Sequence, residues 1–230
     1  MKRLTAILTI TSLLLAFNGR AKTESENTKV VCFGDSITKR GYNLVLEETL
    51  GVETVMAGVA GNSTSKALRR MQRDVLDQHP DIVVIFFGTN DLRADAPKVY
   101  VSLKDYKKNL ETMIQKCESI DAKVVLCTLP PINIDKFFAR HETELYDKEG
   151  GLSKMIENYR NVAAQVAKTQ NVPLVDLNKE LADQPQWMSH DGVHPSKEGT
   201  RIIGQLISKE LNDSLPENDG LTKMELIRFL

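Results

Sequence analysis

Short apolar runs alternate with longer amphipathic stretches along most of the chain. The apolar runs are rich in β-branched residues and predict strands at 29–34, 53–57, 82–87, 123–128 and 173–176. The stretches between them carry apolar residues near helical spacing and predict helices at 40–50, 65–78, 102–119, 152–169 and 196–211. Strands and helices that alternate in this way form a parallel sheet covered on both faces. We therefore predict one α/β domain at residues 29–211, a three-layer α/β/α sandwich around a five-stranded parallel sheet.

One segment, residues 129–150, interrupts the alternation. A connection of this length is unusual in a compact domain unless it covers a site, so we predict a substrate-facing loop or partial lid. Its Phe137 and Phe138, like Trp187 and Met188 further on, suit either an apolar or sugar-stacking wall beside a site or ordinary packing.

The chain begins with the three parts of a secretory signal peptide. Met1-Lys2-Arg3 is followed by an apolar run from 4 to 17 and by the small-residue region that ends at Ala21. We predict cleavage after Ala21, with a flexible arm at 22–28 and a C-terminal tail at 212–230. The apolar run is shorter than a membrane-spanning helix requires, so we expect no stable membrane insertion.

The net charge limits the binding partners that we expect, and the cysteine pattern limits the expected cofactors. Removal of residues 1–21 would change the formal net charge from −1 to −4, which gives no electrostatic reason to bind nucleic acid or anionic membranes. The three cysteines, Cys32, Cys117 and Cys127, fall on predicted strands and a predicted helix, where we expect buried apolar packing. No CxxC or HExxH pattern occurs, so we expect neither a metal nor another cofactor.

Polar residues follow the first three predicted strands at the point where each strand ends. Ser36 follows the first strand, Gly61 lies in the loop after the second, and Asn90 follows the third. The carboxyl ends of parallel strands meet at one edge of a sheet, where ligands bind. The backbone N–H groups of Ser36 and Gly61 and the side-chain amide of Asn90 are thus candidate donors to one oxygen atom, an oxyanion hole beside a serine nucleophile.

A serine nucleophile requires a base, and His194 is the best of the four histidines. Asp191 precedes it by three residues in a loop with a glycine, so the carboxylate can reach one imidazole nitrogen and leave the other for Ser36. His190 is the local competitor for this role. His79 and His141 are expected to be solvated surface residues.

Four blocks of residues together resemble those of the SGNH hydrolases, the GDSL-type esterases and lipases. The blocks are Gly34-Asp35-Ser36, Gly61-Asn62, Gly88-Thr89-Asn90-Asp91 and Asp191-Gly192-Val193-His194-Pro195. The resemblance implies a flavodoxin-like sheet, a catalytic triad of Ser36, His194 and Asp191, and an oxyanion hole formed by Ser36, Gly61 and Asn90. No G-x-S-x-G elbow is present, which argues against an ordinary α/β-hydrolase.

Two features depart from the family pattern. Ile37 replaces the Leu of the family name, and Met56 stands where members often have Asn, which leaves Gly58 as an alternative donor to Gly61. We select Gly61 because it directly precedes the polar residues that open a helix. The carboxylates of Asp35 and Asp91 are expected to brace their loops behind the site by accepting hydrogen bonds from backbone N–H groups.

Three functions are compatible with these residues. The leading hypothesis is a secreted or periplasmic serine ester hydrolase, without a cofactor, that removes acetyl or other short acyl groups from carbohydrate or small-molecule esters. The second keeps the chemistry but assigns a longer acyl chain, as in a lysophospholipase or acyl-thioesterase with an apolar lid. The third is a catalytically silent binding domain on the same fold.

Overall fold

The computed structural model describes residues 28–214. Five strands form one parallel sheet: β1 (Lys29–Gly34), β2 (Glu53–Gly58), β3 (Ile82–Phe86), β4 (Lys123–Cys127) and β5 (Leu174–Val175). Their order across the sheet is β2-β1-β3-β4-β5, the flavodoxin-like order. The predicted α/β fold is therefore confirmed. The predicted signal peptide, nearly all of the arm and residues 215–230 of the tail lie outside the described residues.

Eight α-helices complete the described part of the chain: α1 (Asn43–Leu50), α2 (Thr64–Asp74), α3 (Leu103–Glu118), α4 (Ile134–Phe138), α5 (Glu144–Asp147), α6 (Leu152–Gln170), α7 (Leu177–Leu181) and α8 (Lys197–Ser214). None of the helices between residues 28 and 214 is both long and apolar enough to span a bilayer.

The central strands are apolar on both sides because each side of the sheet is covered by helices. Side chains alternate between the faces along a strand. In β1, Val31 and Phe33 pack with α2, α3 and α6, whereas Val30 and Cys32 pack with α1, α7 and α8. All three cysteines are buried and free, as the apolar packing interpretation requires.

The structure departs from the predicted helices at the end of α2 and in three very short helices that the sequence did not indicate. Helix α2 ends at Asp74, and a 3₁₀ turn at Leu76–Gln78 follows. His79 then adopts the left-handed conformation, φ 49°, and its N–H closes this turn by donating to the Leu76 carbonyl at 3.1 Å. Helices α4, α5 and α7 have five, four and five residues, too few to show periodicity in the sequence.

The predicted lid, residues 129–150, contains α4 and α5 and is called the cap segment below. Asn133 caps α4 by accepting a hydrogen bond from the Lys136 N–H at 3.0 Å. This segment begins just after β4, at the carboxyl edge of the sheet, and so at the edge where β1 and β3 present Ser36 and Asn90.

Candidate active site

Ser36 lies in a tight turn directly after β1. The buried Asp35 carboxylate accepts the Ile37 N–H at 2.9 Å, and the Asp35 carbonyl accepts the Lys39 N–H at 3.1 Å. These bonds close the turn, and a short 3₁₀ helix at Thr38–Arg40 continues the chain. Ser36 remains partly exposed at the carboxyl edge of the sheet.

His194 and Asp191 lie in the loop from Met188 to Pro195, called the acid–base loop below. An isolated antiparallel bridge between Met188 and Pro195 closes the loop, and the Ser189 N–H donates to the His194 carbonyl at 2.8 Å. Gly192 adopts φ 77°, which an L side chain rarely adopts. The chain can therefore reverse between Asp191 and His194.

Ser36, His194 and Asp191 form one continuous row of hydrogen bonds. The Ser36 Oγ lies 2.8 Å from the His194 Nε2, although the two residues are 158 positions apart. The His194 Nδ1 lies 2.7 Å from the Asp191 Oδ2. A carboxylate only accepts, so Nδ1 carries a proton and, in neutral histidine, Nε2 is free to accept from the serine hydroxyl.

The second oxygen of Asp191 is held by its own loop. Its Oδ1 accepts from the Ser189 hydroxyl and from the backbone N–H groups of Val193 and His194, each at 2.9 Å. Partial burial would by itself raise the pKa of Asp191, but these bonds and that from His194 lower the pKa below its usual value. The carboxylate thus stays ionised beside the imidazole.

The candidate oxyanion donors differ in how they are held. Within residues 28–214, the backbone N–H groups of Ser36 and Gly61 make no hydrogen bond, and Gly61 is exposed. The Asn90 Nδ2 donates to the Asp35 Oδ2 at 3.0 Å, which fixes the amide and leaves its second hydrogen for another acceptor.

Gly58, the alternative to Gly61, occupies a different position. It is buried at the end of β2, its N–H faces the Met56 sulfur at 3.3 Å, and a Cβ there would approach the Lys39 nitrogen to 2.4 Å. Glycine at this position is explained by the close approach of the Lys39 backbone.

Asp35 and Asp91 are both buried behind the site. The Asp91 Oδ1 accepts the Thr64 N–H at 2.9 Å and the Thr64 hydroxyl, whereas its Oδ2 has no partner among the described residues. Burial raises the pKa of each carboxyl to about 7. Asp35 closes its own turn, as expected, but Asp91 holds the start of α2 rather than its own loop.

The cap segment contacts the acid–base loop directly. The Asn133 N–H donates to the Gly192 carbonyl at 2.9 Å, and the Arg140 Nη2 donates to the Asp191 carbonyl at 2.5 Å. A Cβ at Gly192 would lie 2.6 Å from the Lys136 Cβ, so glycine is also required there by close packing. The cap segment therefore packs on the acid–base loop and bonds to it.

The expectation that His141 is a solvated surface residue is wrong. Its Nδ1 lies 2.9 Å from the Asp95 Oδ2, its side chain is 15 % exposed, and its ring packs on Phe137 at 4.2 Å between centroids. Tyr146 also donates to Asp95. The sequence analysis missed this junction because Asp95 and His141 come from separate loops. His79 is exposed, as predicted.

The aromatic residues considered for a substrate wall are largely packed inside. Phe137 is 1 % exposed and Trp187 is 2 % exposed, and only Phe138 and Met188 are partly exposed. Two hollows of about 440 and 450 Å³ lie at the opposite, amino-terminal edge of the sheet, lined by Ile82 and Lys123. In the described part of the chain, no group of three acidic, histidine or cysteine residues is placed to hold a metal ion.

Comparisons with known proteins identify the family of the chain. The model of the GDSL-like Lipase/Acylhydrolase family matches residues 32–202. The chain is 28 % identical to an arylesterase of Vibrio mimicus, over 89 % of this chain and 98 % of the relative. It superposes on the crystal structure of a lipase/acylhydrolase from Enterococcus faecalis with TM-score 0.69 and 28 % identity, covering 82 % and 97 % of the two chains. An acetyl xylan esterase, AlAXEase, gives TM-score 0.65 and 29 % identity, covering 79 % and 98 %. The chain therefore belongs to the GDSL-like lipase/acylhydrolase family of carboxylic ester hydrolases.

Proposed function

We propose that the protein is an exported serine esterase that removes acetyl and other short acyl groups from carbohydrate or small-molecule esters. The observation that carries this proposal is the row of bonds from Ser36 Oγ to His194 Nε2 at 2.8 Å and from His194 Nδ1 to Asp191 at 2.7 Å. The three side chains have the roles of nucleophile, base and orienting acid.

Acylation begins at Ser36. The His194 Nε2 takes the hydroxyl proton as the Oγ forms a bond to the ester carbonyl carbon, and the carbonyl oxygen becomes an oxyanion. When the tetrahedral intermediate collapses, the bond from carbon to the alcohol oxygen breaks. His194 gives its proton to the leaving alcohol, and the acyl group remains on Ser36.

Deacylation repeats these steps with water. His194 takes a proton from the water as its oxygen attacks the acyl carbon, and then returns the proton to Ser36 Oγ as the carboxylic acid leaves. Asp191 stays ionised and stabilises the imidazolium that forms in each half.

The oxyanion is bound by the N–H groups of Ser36 and Gly61 and by the Asn90 amide. Support comes from the two backbone groups, which make no hydrogen bond within residues 28–214, and from the Asn90 amide, which Asp35 holds. Donors that are already oriented stabilise developing negative charge without reorganisation.

A short acyl group is supported by the packing of the cap segment. Its Phe137 and Tyr146 rings contact each other and are almost fully buried, so they do not offer an open apolar surface. A long acyl chain requires an apolar cleft that buries most of its surface.

A carbohydrate substrate and export have separate support. The cap residues that meet the acid–base loop, Asn133, Lys136 and Arg140, are polar and suit a hydroxyl-rich alcohol. The neighbour AlAXEase is described as an acetyl xylan esterase. The N-terminal sequence has the form of a signal peptide, and N-terminal sequencing of exported protein should find Lys22 first.

A substrate panel tests the acyl and alcohol preferences. We expect nitrophenyl acetate and peracetylated xylose to be hydrolysed, with kcat/KM falling as the acyl chain lengthens from two to ten carbons. The control is Ser36→Ala, which keeps the fold and should release no product. A preference for the ten-carbon ester would instead favour the lysophospholipase or acyl-thioesterase alternative.

A further inference from the structure

Arg70 on α2 makes contacts that its place in the sequence does not suggest. Its Nη2 donates to the Gly34 carbonyl and its Nη1 to the Ala57 carbonyl, both at 2.9 Å, and its Nε donates to the Asn62 Oδ1 at 2.8 Å. The guanidinium also lies over the Phe33 ring, 4.7 Å from the centroid. The side chain is 11 % exposed, so most of this charge is removed from water.

The three acceptors belong to the two chain segments that lead into the site. Gly34 is the last residue of β1, two positions before Ser36, and Ala57 is the penultimate residue of β2. Asn62 directly follows Gly61. One planar group thus joins the strand before the nucleophile to both ends of the loop that carries the Gly61 N–H.

An ion pair with Asp74 within the same helix does not explain why the Arg70 side chain turns toward the ends of β1 and β2. Arg70 Nη1 lies 2.9 Å from the Asp74 Oδ2, but Asp74 also pairs with Arg73 at 2.5 Å. Arg73 is 78 % exposed and reaches the same carboxylate from the surface. An ion pair alone leaves no reason for Arg70 to be buried, because desolvation of a guanidinium is costly unless its donors are satisfied.

The donors of Arg70 are almost fully used. Four of its five N–H groups have partners, and three of those partners are neutral oxygens at the ends of β1 and β2 and in the Gly61–Asn62 loop. The loop has one further link to β1, the hydrogen bond from the Val59 N–H to the Gly34 carbonyl at 3.1 Å. Beyond the pairing of β1 with β2, Arg70 is therefore a side chain that links the ends of both strands to the Gly61–Asn62 loop.

We propose that Arg70 is a positioning residue for the reaction, which holds the Ser36 and Gly61 N–H groups at the separation that an oxyanion requires. This inference rests on the proposed function, since it assigns Arg70 a part in oxyanion binding. An error of about 1 Å in such a separation can lower kcat about 10²-fold. Because the oxyanion exists only in the transition state, loss of Arg70 affects kcat rather than KM.

The test compares Arg70→Met, Arg70→Lys and the surface control Arg73→Met with acetyl ester as substrate. We expect Arg70→Met to lower kcat about 10- to 100-fold with KM within about two-fold. Lysine is a point charge that cannot span three acceptors, so Arg70→Lys should recover thermal stability but not kcat. Arg73→Met should match the parent protein. A folded Arg70→Met with unchanged kcat, or a loss that lies in KM, would overturn the proposal.

Two further measurements keep the result decisive. If Arg70→Met does not fold, Asn62→Ala can be used instead, because it removes only the acceptor on the Gly61 side. It should lower kcat while the circular dichroism spectrum stays unchanged, and an unchanged kcat in this variant refutes the inference.

Parent turnover and its loss in Ser36→Ala test the proposed function separately. An active parent with an unaffected Arg70→Met refutes the role of Arg70 alone, whereas a parent whose turnover survives Ser36→Ala refutes both.

Discussion

The two sides of the candidate active site are held in place by different kinds of contact. Ser36, Gly61 and Asn90 follow strands of the central sheet. They are braced from behind by the buried carboxylates of Asp35 and Asp91 and by the partly buried guanidinium of Arg70. His194 and Asp191 lie on a loop in which the Asp191 carboxylate is held by local bonds, from Ser189, Val193 and His194 itself.

This difference suits the part that we propose for each side. Oxyanion donors must be fixed before the charge appears, which favours rigid strand ends with satisfied polar groups behind them. A base must exchange protons with serine, alcohol and water, and a partly exposed loop gives it that access. The cap segment supplies the additional support that the loop lacks from the sheet.

The largest effect should follow from removing the base. We expect His194→Ala to lower kcat by about 10⁴-fold or more while the melting temperature changes little, because the imidazole is partly exposed and bonds only to Ser36 and Asp191 among the described residues. His190→Ala is the matched control, since His190 is exposed and lies in the same loop. Steady-state kinetics on nitrophenyl acetate measure both. A comparable loss in His190→Ala would transfer the role of base to that residue.

A smaller loss of activity is expected on the strand-end side. Asn90→Ala removes one oxyanion donor and should lower kcat about 10²- to 10³-fold. It also leaves the buried Asp35 Oδ2 without its partner, so stability should fall by about 1–3 kcal/mol. Asn43→Ala serves as control, because Asn43 is buried and donates to Thr54 away from the site. It should lose stability and keep kcat; loss of kcat in both variants would make the Asn90 effect structural.

The smallest expected effect is a change in the pH dependence of stability. It distinguishes Asp91, whose pKa is raised by burial, from Asp191, whose pKa is lowered by hydrogen bonds. Burial raises the pKa of Asp91 from about 4 in the unfolded chain to about 7, so the folded protein holds a proton that the unfolded chain releases between these values. Stability should therefore fall as pH rises from 4.5 to 7.5. Asp91→Asn should flatten this decline by an amount on the order of 1–3 kcal/mol in urea unfolding.

Asp191 provides the contrast with the opposite sign. Its pKa is lowered by hydrogen bonds despite partial burial, so its contribution is present above pH 4 and is lost as pH falls further. The stability difference between the parent and Asp191→Asn should shrink below pH 4. For Asp91, the contradicting result would be a free energy of unfolding that changes with pH in the same way in the parent and in Asp91→Asn between pH 4.5 and 7.5.

The sequence predicts the strands and the strand-end residues well because those signals are local. Apolar runs such as 82–87 end within one or two residues of the observed strand, and a polar block comes shortly after each of the first three strands. The Asp191 contact to His194 is also local, three residues apart. The distance between Ser36 and His194 needs the whole fold, since 158 positions separate them.

Other features depend on contacts that one segment of sequence cannot reveal. Helix α4 is too short for a periodic pattern, although Asn133 at its start is a usable capping signal. Arg70 belongs to a helix with several cations, and only the buried residues Ala67 and Met71 beside it indicate that it lies at the edge of the packed face. His141 is largely buried because Asp95 meets it from a separate loop and Phe137, four residues earlier, packs on its ring.

Covalent labelling tests the central claim most directly. The account predicts that a fluorophosphonate adds one phosphonyl group to the protein and that peptide mass spectrometry locates it on Ser36. Turnover should fall in proportion to the fraction of protein that is labelled. Ser36→Ala should take up no label. A fully labelled protein with the group on another residue, or an unlabelled protein that keeps hydrolysing acetyl ester in the presence of the reagent, would contradict it.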